Sequence, residues 1–229
     1  MTNSFGQQLK MVLLLKLLLR RYNRSFLKSL IRGIMHMLPL FVCLSFFSCS
    51  NEPIQKPIDK PSIDSIIQEG DIIIKCGHGQ ISRLITKTLD EEIDISHSAI
   101  LIKEKGELAL LHSVSGTLAE TDGVQKISLK KFLTDVKKGT FFILRPEIDS
   151  TKTQLVVSQA LSKLEEDIPF DHEFNNADST EFYCSEFIQF IFEEGAGISC
   201  FETKSISEKD IYMFNSIFSN PNFKVIYKW

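Results

Sequence analysis

Residues 96–114 read SHSAILIKEKGELALLHSV. Two apolar runs, 96–102 and 107–114, flank the polar Gly-containing turn 103–106, the pattern of an antiparallel hairpin. Each arm carries one imidazole. If residues 103–106 form the loop, partners across the hairpin place His97 directly opposite His112 on one face, with Cβ atoms about 5 Å apart. Such a pair suits one ring as a general base and the other as the group that orients it. Two other readings stay open, half-buried packing and a metal site. A zinc site needs a third and a fourth ligand, and His78, Asp171 and His172 stand at no ligand spacing, so no metal is expected.

The flanking segments build an α+β domain outward from this hairpin. Gly70-Asp71 leads into the apolar triplet Ile72-Ile73-Ile74, read as a buried strand, and Gly77-His78-Gly79 breaks it. Residues 81–89 place Ile81, Leu84, Ile85 and Leu89 on one helical face. A strand is expected at 140–144, closed by Arg145-Pro146, and a helix at 151–166 with Leu155, Val156, Ala160, Leu161 and Leu164 at helical spacing. A second helix is expected at 180–194, stopping before Gly195 and Gly197, and a last strand at 223–227.

Five cysteines do not make a disulfide framework here. Cys43 lies in an apolar leader and Cys49 follows it, which leaves Cys76, Cys184 and Cys200; an odd count in an exported chain leaves at least one thiol free. Cys184 stands in Phe182-Tyr183-Cys184-Ser185-Glu186-Phe187, early in the second helix, where unpaired amides and the helix dipole favour thiolate. Against this stands the reading of a buried Cys as a small hydrophobe, which is kept for Cys76 and Cys200. A Cys nucleophile needs a base, usually His, and the His97–His112 pair offers one.

The order Gly70-Asp71 with its isoleucines, then Ser96-His97-Ser98-Ala99-Ile100-Leu101, a Gly-linked second strand, Leu144-Arg145-Pro146, a helix, Ile168-Pro169-Phe170-Asp171 and the Tyr183-Cys184-Ser185-Glu186 helix start resembles the YiiX-like branch of the permuted papain-fold superfamily. That superfamily also holds NlpC-type cell-wall peptidases and the lecithin retinol acyltransferase group. The resemblance covers residues 66–229, and His precedes Cys, the reverse of unpermuted papain-like enzymes. It implies a circularly permuted papain-like domain, a small antiparallel sheet packed on helices. It implies Cys184 as nucleophile, His97 as general base and later general acid, and His112 as the orienting residue, with no cofactor. Tyr183, Ser185 and Glu186 are the candidate substrate-binding residues beside the nucleophile. Three departures stand out. A second His occupies a position that is acidic in many members, Tyr183 replaces the Asp that precedes the nucleophile in NlpC-type enzymes, and Phe170 stands where Tyr is expected.

Composition separates the chain into an address and a body. Of 229 residues 43% are hydrophobic and 24% charged, which fits one globular domain. Residues 1–48 carry seven Lys or Arg and no Asp or Glu, so the remainder holds 19 basic against 29 acidic residues, a net charge of −10. An acidic body offers no footprint for nucleic acid, whose phosphates need clustered cations. The apolar run 35–47 is too short for a stable span of a roughly 30 Å hydrocarbon core, and before Ser48-Cys49 it reads as a bacterial lipoprotein signal, with Cys49 the lipid anchor. Met35 or Met37 would serve equally as its start. Residues 49–65, with three prolines among charges, read as a tether that holds domain 66–229 off a membrane.

These features together lead to the expectation of a lipid-anchored cysteine hydrolase of the bacterial cell envelope that cleaves an amide in a peptidoglycan-derived peptide or another small amide. Two alternatives remain: a lipid acyltransferase or lipase using the same thioester chemistry, and a non-catalytic binding lipoprotein. Oligomeric state is not legible in the sequence.

Overall fold

The computed structural model describes residues 63–229, apart from 105 and 120. The expected signal segment 1–48, Cys49 and residues 49–62 of the expected tether lie outside the described residues. The first described residue, Ile63, falls within the tether as drawn from sequence. A 3-10 turn at Ile63–Ser65 follows, and Ile63 and Ile67 are buried.

Eight strands and four helices follow: β1 (Ile72–Lys75), α1 (Gln80–Leu89), β2 (His97–Glu104), β3 (Glu107–Val114), β4 (Gly123–Ser128), α2 (Leu129–Phe132), β5 (Phe142–Pro146), α3 (Ser150–Glu165), α4 (Cys184–Ala196), β6 (Glu202–Ile206), β7 (Lys209–Met213) and β8 (Phe223–Lys228). Six strands form one antiparallel sheet in the order β4-β3-β2-β1-β5-β8, and β6 and β7 pair separately. The expected α+β class with an antiparallel sheet packed on helices is the observed architecture.

Because side chains alternate along a strand, the sheet has two cores. Ile72, Ile74, Ile100 and Leu111 point to the face covered by α3 and α4, where Val156, Phe187, Ile188 and Phe192 meet them. Ile73, Ala99, Leu101 and Leu110 point to the opposite face, under Phe132, Val136 and Ile63. The two-sided burial explains why β1 reads as an unbroken apolar run.

A bidentate ion pair ties distant ends of the pattern together. Arg145 donates from Nε to Oδ1 of Asp71 at 2.9 Å and from an η nitrogen to Oδ2 at 2.8 Å. Asp71 is 1% exposed, so this is a buried carboxylate satisfied by a planar fork, with the Gln68 amide also donating to it.

The hairpin register differs from the expected one. β2 runs through Glu104 and pairs it with Glu107, so Ile100 faces Leu111. Continued along the ladder, this sets His97 opposite Val114 and His112 opposite Ala99. The shift is two residues rather than one, so both imidazoles keep a common face and become diagonal neighbours.

α4 also begins and ends later than its periodicity suggests. The Phe182 amide donates to the Pro169 carbonyl at 3.1 Å, holding the preceding backbone extended, so the helix starts at Cys184 itself. It runs through Gly195 because α3 needs that gap: a Cβ there would lie 2.5 Å from the Val156 nitrogen and 2.6 Å from its Cα. Gly197, at φ 69°, provides the left-handed cap. Gly195→Ala is therefore expected to force the two helices apart and cost about 1–3 kcal/mol, read as a lowered urea midpoint. An unchanged midpoint would mean the contact is slack.

Candidate active site

The start of α4 is docked on the sheet by two serines. Ser98 on β2 donates from Oγ to the Cys184 carbonyl at 2.9 Å, and Ser113 on β3 donates from Oγ to the Phe182 carbonyl at 2.5 Å. Both serines are 0% exposed and interrupt otherwise apolar strand faces. The register places them opposite each other, so adjacent hydroxyls grip the backbone on both sides of Tyr183. Sequence reasoning missed both. The available signal was a hydroxyl at the inward position of a buried strand, where an unpaired polar group is costly.

The imidazoles sit on the other side of the same strands. His97 Nε2 and His112 Nδ1 are 2.7 Å apart and share one proton between them. The rings are 5.0 Å between centroids at 72°, and Phe132 closes the group, lying 5.6 Å from His97 and 5.9 Å from His112. His112 is 5% exposed, and its Nε2 has no hydrogen-bond partner, whereas His97 and Cys184 are only partly buried. Among the described residues, hydrogen bonds run from His97 to His112 and from Ser98 to Cys184, but none joins the Cys184 sulfur to either ring. The structure thus brings His97 and His112 together as a pair and places Cys184 at the start of α4, bonded through its carbonyl to Ser98, the residue after His97.

The electrostatics correct the expectation of a resting thiolate. Burial pushes the Cys184 thiol up to about 11, outweighing the opposite pull of the Ser98 amide and hydroxyl, the Ser185 amide and its own amide. Burial also drives His97 well below its ordinary value, with His112 and Lys75 adding in the same direction. His112 is lowered to about 4, by burial first and then by Lys75 and Lys131. The resting site is a neutral thiol beside neutral imidazoles. Helix-end amides do favour the thiolate, as the sequence suggested, but removal from water costs more.

Tyr183, Ser185 and Glu186 do not form a substrate-facing wall, a correction to their expected role. They are 3%, 2% and 4% exposed, and the contacts of Tyr183 and Glu186 are internal. Tyr183 donates from its hydroxyl to Asn176 Oδ1 at 2.9 Å and accepts from the Tyr212 amide, and Glu186 accepts the Tyr183 amide at 3.1 Å. Burial raises the Glu186 carboxyl to about 8, with Asp171, Asp178 and Glu181 adding to the rise and the Tyr183 amide opposing it. The Tyr183 and Glu186 side chains position the helix start. Cys76 and Cys200 are buried at 2% and 1% exposure, as small hydrophobes should be.

A family model for permuted papain-like amidase enzymes, YaeF/YiiX, C92 family, matches residues 66–225. The chain belongs to that family. As a permuted papain-like amidase it has hydrolase-type chemistry. No curated protein matches the chain. The crystal structure of metalloprotein YiiX from Escherichia coli O157:H7 is similar in fold, with a TM-score of 0.60 at 19% identity, over 71% of this chain and 97% of that one.

That protein's description raises the question of a metal. The described residues of this amidase bring no three His, Cys, Asp or Glu side chains into a metal-holding group. His78 is bonded to Asp135 and His172 lies near Asp122, while Lys75 acts as a cation on the His97–His112 pair. These donors do not fit a bound metal, and no step below is drawn through one.

The depressed His112 value has a thermodynamic consequence. As pH falls, the unfolded chain takes up protons near 6.5 while the folded ring stays neutral, so this contribution is complete above 6.5 and is lost as pH falls toward 4. Its size is on the order of 3 kcal/mol. Urea midpoints measured from pH 7 to pH 4.5 should fall for the wild type, and His112→Gln should flatten the decline. Identical slopes would refute a buried neutral ring.

Proposed function

We propose that the protein is a Cys184-dependent hydrolase of the bacterial cell envelope that cleaves an amide bond in a peptidoglycan-derived peptide or a similar small amide. The observation that carries this reading is the placement of Cys184 as the first residue of α4, bonded through its carbonyl to Ser98, the strand neighbour of His97. The sequence order of basic segment, apolar run 35–47 and Cys49 supports the envelope location, with Cys49 the lipid anchor to the membrane.

The chemistry starts from the neutral pair. His97 holds His112 through Nε2, so its other ring nitrogen, Nδ1, is the one left to act on the thiol. Rotation of the Cys184 side chain from Ser98 toward that nitrogen brings acid and base together; such contacts commonly tighten only once substrate is bound. The thiol proton passes to His97 as sulfur attacks the carbonyl carbon and its π electrons move to oxygen. A thiol at about 11 is a poor acid toward an imidazole lowered by burial, and each pH unit of mismatch costs about 1.4 kcal/mol, so proton transfer and C–S bond formation proceed together.

The developing oxyanion is met by the amides of Cys184 and Ser185 at the start of α4, which have no partner within the helix and lie beside the thiol. Collapse breaks the C–N bond, and His97 returns its proton to the departing amine. Water, deprotonated by His97, then attacks the thioester and releases the carboxylic acid and the thiol. His112 keeps the base oriented throughout, the part a carboxylate takes in other triads.

Cys184→Ser should abolish hydrolysis of peptidoglycan-derived peptide amides, and His97→Ala should lower it about 10²–10⁴-fold. A thioester adduct on Cys184 should be seen by mass spectrometry. Iodoacetamide should label Cys184 ahead of Cys76 and Cys200, at a rate still climbing at pH 9. Turnover that survives Cys184→Ser would sink the proposal, and a labelling plateau near pH 6 would replace the neutral pair with an ion pair.

A further inference from the structure

β1 ends on Lys75, a cation where the rest of the strand is isoleucine. The side chain is 9% exposed, and its Nζ donates to the Phe132 carbonyl at 2.5 Å and the Asp135 carbonyl at 3.0 Å. The same Nζ lies 4.3 Å from the centroid of the Phe132 ring. In the ladder Lys75 is the direct partner of His97, so the two side chains leave the sheet on one face. Phe132 in turn stacks on His97 and meets His112 edge-on. One ammonium therefore holds the end of α2 by its carbonyls, the aromatic ring by its face, and a position beside both imidazoles.

We propose that Lys75 is a positioning residue of this site: its ammonium clamps Phe132 against the His97–His112 pair and sets a fixed cation beside both rings. The catalytic meaning rests on the Cys184–His97 reading, but the electrostatic clamp is separable from it. The groups that face the rings are few. Lys75 acts from β1, Lys131 acts on His112 from α2, and each ring lies against the other. β4 sets Gln125, which does not titrate, opposite His112. Cys184, on α4, is bonded through its carbonyl to Ser98, on the sheet face away from the rings. No acidic side chain acts on either ring. Burial lowers Lys75 itself, while Asp135 and Cys76 act in the opposite direction to hold its charge, and the Asp135 carboxylate takes a hydrogen bond from the amide of His78 and lies 3.0 Å from its Nδ1.

Burial is the larger reason the rings stay neutral, and the Lys75 cation adds in the same direction.

The test is a histidine-ring NMR titration of the full chain in detergent micelles, comparing the wild type with Lys75→Gln and Lys75→Arg. Gln keeps a donor for the α2 carbonyls without the charge, and Arg keeps the charge. The midpoints of His97 and His112 should rise by at least one pH unit in Lys75→Gln and stay in place in Lys75→Arg, with His172 as the internal reference. Unmoved midpoints in Lys75→Gln would overturn the proposal.

Should Lys75→Gln not fold, the wild type still decides. Charge coupling is reciprocal, so the Lys75 ε-methylene signal must shift at the pH where the imidazole pair titrates, and its failure to do so would overturn the clamp. In active enzyme the acid limb of kcat/KM should move up with the ring midpoints in Lys75→Gln. Ring midpoints that move while hydrolysis is absent from every form would leave the clamp standing and reject the Cys184–His97 reading.

Discussion

The site depends on a pair of hydroxyls. Ser98 and Ser113, facing each other on β2 and β3, take hold of the carbonyls of Cys184 and Phe182, and so decide where α4 begins relative to the strands that bear the histidines. Hydrogen bonds made wholly out of water are costly to leave unmade, and these two are directed at backbone rather than at side chains. The docking is therefore insensitive to which side chains line the helix start, provided the serines remain. Everything chemical in the protein is referenced to that junction: the thiol lies one bond system away on the helix, the base one residue away on the strand.

The second constraint is dehydration. A cysteine and two histidines in water would carry some charge at neutral pH, but here each is pushed toward its neutral form. The site thereby differs from the ion-paired thiolate–imidazolium arrangement. A thiol held protonated is the less nucleophilic form of cysteine, so the fold favours the less reactive state of Cys184 at rest. Lys75 contributes to the same state from the opposite side of the imidazoles, and Glu186, raised toward neutrality by burial, extends it to the carboxylate under the helix.

Much of this was legible before any coordinates. Local periodicity found β1, α1, both arms of the hairpin, α3 and α4 because each carries an apolar face dense enough to be read alone. β4 escaped because Gly123–Ser128 buries only its first two residues, and the β6–β7 pair escaped because its strands are largely polar and exposed. Cys184 and the two histidines were singled out from residue type and order. Ser98, Ser113 and Lys75 were not, because their roles are set by partners 69 to 86 residues away for the serines and 57 to 60 residues away for the lysine. No local pattern encodes such a partner. The thiolate was overestimated for a related reason: a helix start is visible in sequence, whereas the depth at which it is buried is not.

The two-residue slip of the hairpin register has a meaning for how such a domain can change over time. Because side chains repeat every two positions, the loop joining β2 and β3 can lengthen or shorten by pairs of residues while both imidazoles stay on the face of Phe132. A single inserted residue that propagated along one arm would instead send one ring to the α4 side and a serine away from its carbonyl, dismantling the base and the helix dock in one event. The hairpin is thus a parity filter on inheritance: lineages of this fold can drift through loops of varied length, but only along steps of even size, unless a bulge absorbs the odd residue before it reaches His97 or His112.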